Sequence, residues 1–187
     1  MIRNPHQYQS MPLGIVVRQS PGATRWVKWA WRAVAVLPGA GPADWKQLRS
    51  QDDTTDFHAA SVPLELHGAE SEAYLTGLSD KAPAIYVVMR ASGDPDRPFH
   101  IKLATASPYE AQDYADNGDD IVEKILMPAG VIAWVRDFAN AYYQEDVFIK
   151  RRRDRARIDG ADDGIGDARI AQMTDVYRAP TRKGDVA

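Results

Sequence analysis

The chain has 187 residues, of which 44% are hydrophobic and 26% are charged, and this composition suits one folded domain with an appendage. It contains no cysteine, which excludes disulfides, thiolate zinc sites, iron–sulfur clusters and cysteine nucleophiles. No apolar run approaches the roughly 20 residues that span a bilayer, and the first ten residues lack the apolar core of a secretory signal, so we expect a soluble, cytoplasmic protein without a membrane contact.

The first part of the chain predicts a leader followed by strands. Residues 1–11 are expected to form a disordered leader. Alternating apolar residues predict strands at 13–19 and at about 25–37, and the Pro-Gly pair between them predicts a hairpin turn. Residues 57–67 are expected to be extended, and residues 70–78 suit a short helix.

The second part of the chain alternates between strand and helix patterns. β-branched and aromatic residues at 84–90 and alternation at 99–103 predict a second hairpin. The sequence Ser-Pro-Tyr-Glu at 107–110 is a capping box with proline at the first helical position, and it predicts a helix that stops at the following Asn-Gly. A strand is expected at 121–127, and 3.6-residue spacing of apolar positions predicts an amphipathic helix at 128–143.

The order of these elements is β-β-β-α-β-β-α-β-α. It predicts an α+β domain at residues 12–149, with a mostly antiparallel sheet built from hairpins and about three helices. Residues 150–187 are expected to form an extended C-terminal tail, since they are rich in Arg, Asp and Gly and Tyr177 is their one aromatic residue. Such a segment lacks the apolar area to order itself, so it would order on a partner.

A basic block opens this tail. It carries a net charge of +5 in a chain of net charge −3, so the remainder of the chain carries −8. A concentrated cationic segment on an acidic protein indicates contact with an anionic surface. The predicted partner-binding residues are Lys150, Arg151, Arg152, Arg153, Arg155 and Arg157.

Three interpretations of this block stay open. It could bind an acidic surface on a partner protein, which we favour, or it could be an inert solvated end. Binding to nucleic acid is the least favoured, because no aromatic platform lies beside the block and the acidic remainder of the chain would repel phosphate.

No catalytic group of residues, metal site or cofactor is predicted. Trp26, Trp29 and Trp31 could anchor an interface, but core packing against the helix at 128–143 is the favoured interpretation. Glu65 and His67 would share a strand face as a ligand pair or an acid–base pair, although a surface hydrogen bond is the more common arrangement. Ser61, Ser79 and Ser107 have no visible base.

The order of motifs resembles a small family of bacterial proteins, mainly from proteobacteria, whose domain is of unknown function. The resemblance spans about residues 11–182. The matching segments are Met-Pro-Leu-Gly-Ile-Val-Val at 11–17, Trp-Ala-Trp-Arg-Ala-Val-Ala-Val-Leu-Pro-Gly at 29–39, Leu-Glu-Leu-His at 64–67, Ala-Ser-Pro-Tyr-Glu-Ala-Gln-Asp-Tyr at 106–114, Met-Pro at 127–128 and Lys-Arg-Arg-Arg-Asp at 150–154.

The resemblance implies a connection with molybdenum enzymes. Genes of the family tend to lie beside those for molybdenum-dependent formate dehydrogenase, and some members are named molybdopterin-guanine dinucleotide biosynthesis proteins. This chain lacks the Leu-Ala-Gly-Gly opening of true guanylyltransferases. We therefore expect a non-catalytic accessory or small subunit that assists assembly or maturation of a formate dehydrogenase. The alternatives are a nucleotide- or pterin-binding enzyme of molybdenum cofactor processing and a nucleic-acid-binding regulator.

Overall fold

The computed structural model describes residues 5–143. The strands in this part of the chain are β1 (Tyr8–Pro21), β2 (Trp29–Pro38), β3 (Asp44–Gln51), β4 (Thr54–His67), β5 (Ala84–Ala91), β6 (Phe99–Thr105) and β7 (Ile121–Leu126). The α-helices are α1 (Ser71–Ser79), α2 (Pro108–Asp116) and α3 (Ala129–Tyr142), and short 3-10 turns lie at Pro5–Gln7 and Gly68–Glu70. None of these helices is long and apolar enough to cross a membrane.

The seven strands form one nearly closed sheet in the order β2-β1-β4-β6-β5-β7, with β3 paired to β4 outside this path. The predicted hairpins β1–β2 and β5–β6 are both confirmed as antiparallel pairs. β1 and β4 pair along nearly their whole length. The terminal strands β2 and β7 then approach each other, and the Glu123 carboxylate of β7 faces the Ala33 N–H of β2.

The α+β class is confirmed, but the prediction of a mostly antiparallel sheet needs correction, because the sheet is mixed. β4 pairs with β6 in parallel at Leu64 and Ala104. After β4 the chain crosses through α1 to β5, so the β5–β6 hairpin returns with β6 running in the same direction as β4. A hairpin pattern in the sequence does not show which neighbour the hairpin will join.

One boundary predicted from the sequence is wrong, and one strand is missing from the prediction. The leader predicted at residues 1–11 is a strand from Tyr8 onward, because Tyr8 and the residues after it pair with β4 from His67 backwards. β3 was not predicted at all. Its polar sequence has no alternating apolar face, and its pairing with β4, for example Gln47 with Phe57, supplies the order that its composition does not.

The core lies inside the curled sheet and under two of the helices. Leu13, Ile15 and Val17 of β1 point into it, and each is fully buried. Tyr74 of α1 meets Phe138 of α3 with ring centroids 6.3 Å apart in an edge-on arrangement. The helices therefore close the open side of the sheet with aromatic rings.

The helix predictions made from capping and periodicity are confirmed. The Ser107 side chain accepts a hydrogen bond of 3.2 Å from the Glu110 backbone N–H, with Pro108 at the start of α2. Gly118, just after the helix, has φ of 73°, which suits glycine. The apolar face of α3 is buried at Val131, Val135, Phe138 and Ala139.

Candidate functional site

The six basic residues predicted to bind a partner lie outside the described residues, as does the rest of the tail at 150–187. Their role stays a prediction. Within residues 5–143 the structure presents a different candidate surface at the end of the β1–β2 hairpin. It consists of Arg25, Trp26, Val27, Lys28 and Trp29, and we refer to these five residues as the tryptophan loop.

The tryptophan loop exposes large apolar side chains to solvent. Trp26 is 81% exposed, Val27 is 52% exposed and Trp29 is 36% exposed. The prediction that Trp26 and Trp29 pack in the core is therefore wrong. The physical reason is that β2 begins at Trp29 rather than near residue 25, so Trp26 lies in the loop before the strand and Trp29 lies at its exposed first position.

Trp31 follows the core prediction, although its neighbours differ from those expected. It is half-buried, and its ring lies 5.8 Å from the ring of Trp45 and 5.7 Å from that of Phe57. Trp134, the expected partner on α3, instead donates a hydrogen bond of 2.8 Å to Gln9. Trp31 thus packs across the curled sheet against β3 and β4.

Two cations accompany the exposed rings. The Arg25 guanidinium lies 4.7 Å from the centroid of Trp26, and the Lys28 ammonium lies 5.8 Å from that of Trp29. Neither cation takes part in a salt bridge among the described residues. Aromatic rings and arginine are the residue types most enriched at the energetic centres of protein interfaces. The tryptophan loop therefore combines apolar contact area with unneutralised positive charge.

The shape of the tryptophan loop depends on Gly22. The Gly22 N–H donates to the Lys28 carbonyl at 3.1 Å, and the Val27 N–H donates to the Thr24 carbonyl at 3.1 Å. A Cβ atom at position 22 would overlap the Val27 carbonyl oxygen, so only glycine allows this close approach. Local backbone bonds thus hold Trp26 and Val27 away from the sheet.

An ion cluster fastens the strands below the tryptophan loop. Asp56 of β4 accepts hydrogen bonds from Arg18 of β1 at 2.6 and 3.0 Å and from Arg49 of β3 at 2.9 Å. Asp56 is buried, and the hydrogen bond from Arg18 is the largest of the effects that lower the pKa of its carboxyl group. The Arg49 side chain is itself exposed. This cluster ties three neighbouring strands together close to where the loop emerges.

A histidine–serine pair lies elsewhere on β4, and the sequence did not reveal it. His58 Nε2 is 2.9 Å from Ser61 Oγ. Residues three apart on a regular strand face opposite sides, but here Ile15 pairs with Ala60 and Val16 pairs with His58, so Ala59 is bulged and both side chains turn to one face. The clue available in the sequence was only a His-x-x-Ser spacing.

The chemistry of this pair is structural rather than nucleophilic. The Ser61 hydroxyl donates to the Gly41 carbonyl at 2.6 Å, so its proton is directed to the backbone and away from the imidazole. Burial lowers the pKa of His58, which also bonds the Ala60 backbone. The pair holds the β2–β3 connection against the sheet beside an open groove of about 350 Å³ whose lining includes Pro12, Pro42 and Ser61.

The Glu65 and His67 side chains lie on one face, as the sequence indicated, with Nε2 and Oε2 3.7 Å apart. Tyr8 donates a hydrogen bond of 2.8 Å to Glu65, and its ring lies 5.1 Å from that of His67. Within residues 5–143 no group of three or more His, Cys, Asp or Glu residues could hold a metal ion. Tyr8, Glu65 and His67 thus form one side-chain network between β1 and β4.

A second buried carboxylate, Asp120, orders the opposite part of the sheet. It accepts hydrogen bonds from Lys102 at 2.8 Å, Asn117 at 3.0 Å and Arg90 at 2.8 Å. These donors, with Lys102 the strongest, lower the pKa of Asp120 to about 2. Arg90 belongs to β5, Lys102 to β6 and Asn117 to the turn before β7. The Asp120 carboxylate therefore joins these three parts of the chain.

Comparison with known proteins places the chain in a family without assigning an activity. No curated protein and no solved structure matches the chain. A family model described as "Protein of unknown function (DUF3305)" matches residues 12–153, which is most of the chain. The match covers all of β2 to α3 and thus the tryptophan loop. The protein belongs to the DUF3305 family.

Proposed function

We propose that this protein is a non-catalytic accessory or small subunit that assists assembly or maturation of a molybdenum-dependent formate dehydrogenase through protein–protein contacts. The single observation that supports docking is the tryptophan loop, where Trp26 is 81% exposed and Arg25 lies over its ring. An exposed apolar patch rimmed by charge is typical of an interaction surface. The choice of dehydrogenase comes from the gene neighbourhood that the family resemblance implies.

The proposed partner surface is acidic and apolar. Trp26 and Val27 would enter an apolar depression, while Arg25 and Lys28 would pair with carboxylates around it. The basic residues at 150–157 would provide a second contact of the same sign. In such an arrangement the positive charges would raise the rate of association. Trp26, once buried in the complex, would slow its dissociation. We place this activity in the cytoplasm.

The test is capture of formate dehydrogenase by the tagged full-length protein in its native host, with subunits identified by mass spectrometry. Three variants accompany the wild type. They are Trp26→Ala, a control Leu126→Ala that removes an apolar side chain 69% exposed on β7, and a chain with the six basic residues at 150–157 changed to Gln.

We expect dehydrogenase subunits with wild type and Leu126→Ala, and a loss of at least about tenfold with Trp26→Ala, as for an interface hot spot. The chain without the six basic side chains should capture less dehydrogenase than wild type, because it lacks the second contact. Equal capture by Trp26→Ala, or no dehydrogenase with any chain, would contradict it. Saturable binding of a guanine nucleotide or pterin would instead favour an enzyme of cofactor processing. Tight, salt-dependent binding to duplex DNA would favour a regulator.

A further inference from the structure

One edge of β2 forms no hydrogen-bonded ladder with another strand among the described residues. β2 pairs with β1 on its other edge and stands at the end of the strand order. Trp29, Ala30 and Arg32 are exposed along this part of the strand. An edge strand presents unpaired N–H and C=O groups that can pair with another extended chain. The peptide groups of β2 alternate between its two edges, so only every second residue points outward.

The contact between Glu123 and Ala33 indicates which residues of β2 point outward. The Ala33 N–H faces the Glu123 carboxylate of β7, so it points away from β1. The register from Ala33 back to Trp29 is regular, without a shift. Because N–H groups two residues apart in a strand point the same way, those of Trp31 and Trp29 also face outward.

Two details on the β1 side agree with this assignment. The Ser20 hydroxyl bonds the Ala30 carbonyl at 3.4 Å, as expected if the peptide groups of Ala30 face β1. Pro21, which has no N–H, is paired with Trp29, whose own groups point away from it. Trp29 and Trp31 therefore present two donors and two acceptors at the outer edge.

The charges beside this edge select the partner. Lys28 and Arg32 flank it, and both are exposed. Pairing with β2 of a second copy would bring these like charges together, which is unfavourable. The Glu123 carboxylate already faces the next outward N–H, at Ala33, so an acidic group lies beside this edge in the folded protein itself. The chemistry fits an extended acidic segment.

We infer that the outer edge of β2 at Trp29 and Trp31 binds an extended acidic segment of the partner by β-strand addition. This deepens the proposed function and rests on it, since the edge adjoins the tryptophan loop. Main-chain hydrogen bonds would give affinity, and alternate acidic side chains would meet Lys28 and Arg32. The tryptophan loop would anchor the same partner next to the added strand.

The test is amide hydrogen exchange of the full-length, ¹⁵N-labelled protein, followed by NMR. The probe is a synthetic peptide of about six residues, the length of a typical strand, that alternates Glu with Val. In the free protein the amides of Trp29 and Trp31 should exchange faster than those of Ala30 and Arg32, which face β1. Saturating peptide should slow exchange at Trp29 and Trp31 by at least about tenfold and leave Ala30 unchanged.

Two controls separate strand addition from simple charge attraction. A peptide of the same sequence with N-methyl groups on alternate residues loses its donors along one edge, and it should bind at least about tenfold more weakly. Lys28→Gln should weaken binding of the unmodified peptide, whereas Lys81→Gln, at a lysine exposed elsewhere, should not.

The inference is overturned if the peptide does not bind, if it binds without slowing exchange at Trp29 and Trp31, or if the N-methylated peptide binds equally well. Each of these results leaves the proposed function intact where the dehydrogenase is still captured through Trp26. If the peptide binds by strand addition but no dehydrogenase is captured, the outer edge of β2 is still a binding site. The proposal that its partner is a formate dehydrogenase would then be wrong.

Discussion

The Glu123 carboxylate of β7 faces the backbone N–H of Ala33 on β2, so a side-chain contact links the two terminal strands of the sheet. One of its oxygens, Oε2, is buried without a hydrogen-bond partner among the described residues. Burial raises the pKa of this carboxyl group, while the hydrogen bond from Ala33 and the charge of Arg32 partly oppose the rise. A side-chain contact thus replaces a backbone ladder between β2 and β7, and burial makes the charged form of this side chain unfavourable.

We expect Glu123→Gln to remove a pH-dependent loss of stability. Because the pKa of Glu123 is raised in the folded state, its contribution is fully present below the ordinary value of 4.5 and is lost as the pH rises through the folded-state value. Gln keeps the acceptor for Ala33 without the charge. Urea unfolding from pH 4 to pH 8 should show a smaller decline for the variant than for wild type.

The matched variant at this seam is Glu123→Ala. It removes the acceptor and leaves the buried Ala33 N–H without a partner, which should cost about 1–3 kcal/mol below pH 4.5, where the contribution of Glu123 is fully present. Should Gln prove as harmful as Ala, the hydrogen bond to Ala33 would not be what joins the two strands.

The helices and most of the strands could be predicted because their signals are local. The capping box at Ser107 and the apolar face of α3 each act within a few turns, and both are confirmed. β3 could not be predicted in this way. Its residues are almost all exposed, and Trp45 has a φ of 49°, which is unusual in a strand. Its order therefore comes from pairing with β4, about ten residues further along the chain.

The candidate surface was less accessible to sequence reasoning than the fold. Apolar residues on both sides of Trp29 predicted a strand from about residue 25, and a strand would have carried Trp26 into the sheet. The close approach of Gly22 to Val27 makes this segment a loop instead. The bulge at Ala59 that aligns His58 with Ser61 is likewise a property of strand pairing, which composition does not encode. The basic residues at 150–157 stay a prediction.

We expect Asp120→Asn to destabilise the fold more than Asp119→Asn does. Asp120 is buried with three charged or amide donors, whereas the Asp119 side chain is 77% exposed and lies 3.6 Å from Arg90. Asparagine at position 120 leaves Lys102 and Arg90 without their shared anion. Thermal unfolding at pH 7 should show a clearly lower Tm for Asp120→Asn and a Tm near that of wild type for Asp119→Asn.

The pH dependence of Asp120 has the opposite sign to that of Glu123. Its pKa is lowered from the ordinary 3.8 to about 2, so its contribution is present above pH 3.8 and is lost as the pH falls toward 2. Wild type should therefore lose stability over this window, and Asp120→Asn should lose less. Parallel acid-unfolding curves for the two proteins would contradict the assignment of the cluster.

We expect Gly14→Ala to destabilise the fold through His58. A Cβ atom at position 14 would meet His58 Nε2 and would lie 2.9 Å from the Ala40 side chain. Overpacking of this kind costs about 1–3 kcal/mol. The cost should shrink in a His58→Ala background, giving a coupling energy of about 1–2 kcal/mol in a double-mutant cycle followed by urea unfolding.

Gly130→Ala is the control for this cycle. Among residues 5–143, no atom outside the backbone of α3 and the two neighbouring residues lies within 4 Å of a Cβ added at Gly130. The change should therefore leave stability equal or slightly higher, as expected for alanine in a helix. Additive effects of Gly14→Ala and His58→Ala would mean that the ring does not occupy the space above Gly14.

The two tryptophans Trp26 and Trp31 should differ sharply in their contribution to stability. Trp31 packs on Trp45 and Phe57, so Trp31→Ala should cost about 2–4 kcal/mol in urea unfolding, near the lower range for aromatic residues in cores. Trp26 is 81% exposed, and Trp26→Ala should change stability by no more than about 0.5 kcal/mol. A surface tryptophan that contributes nothing to folding is free to serve binding. If instead Trp26→Ala is as unstable as Trp31→Ala, Trp26 belongs to the folded interior, and the tryptophan loop loses its basis as a docking surface.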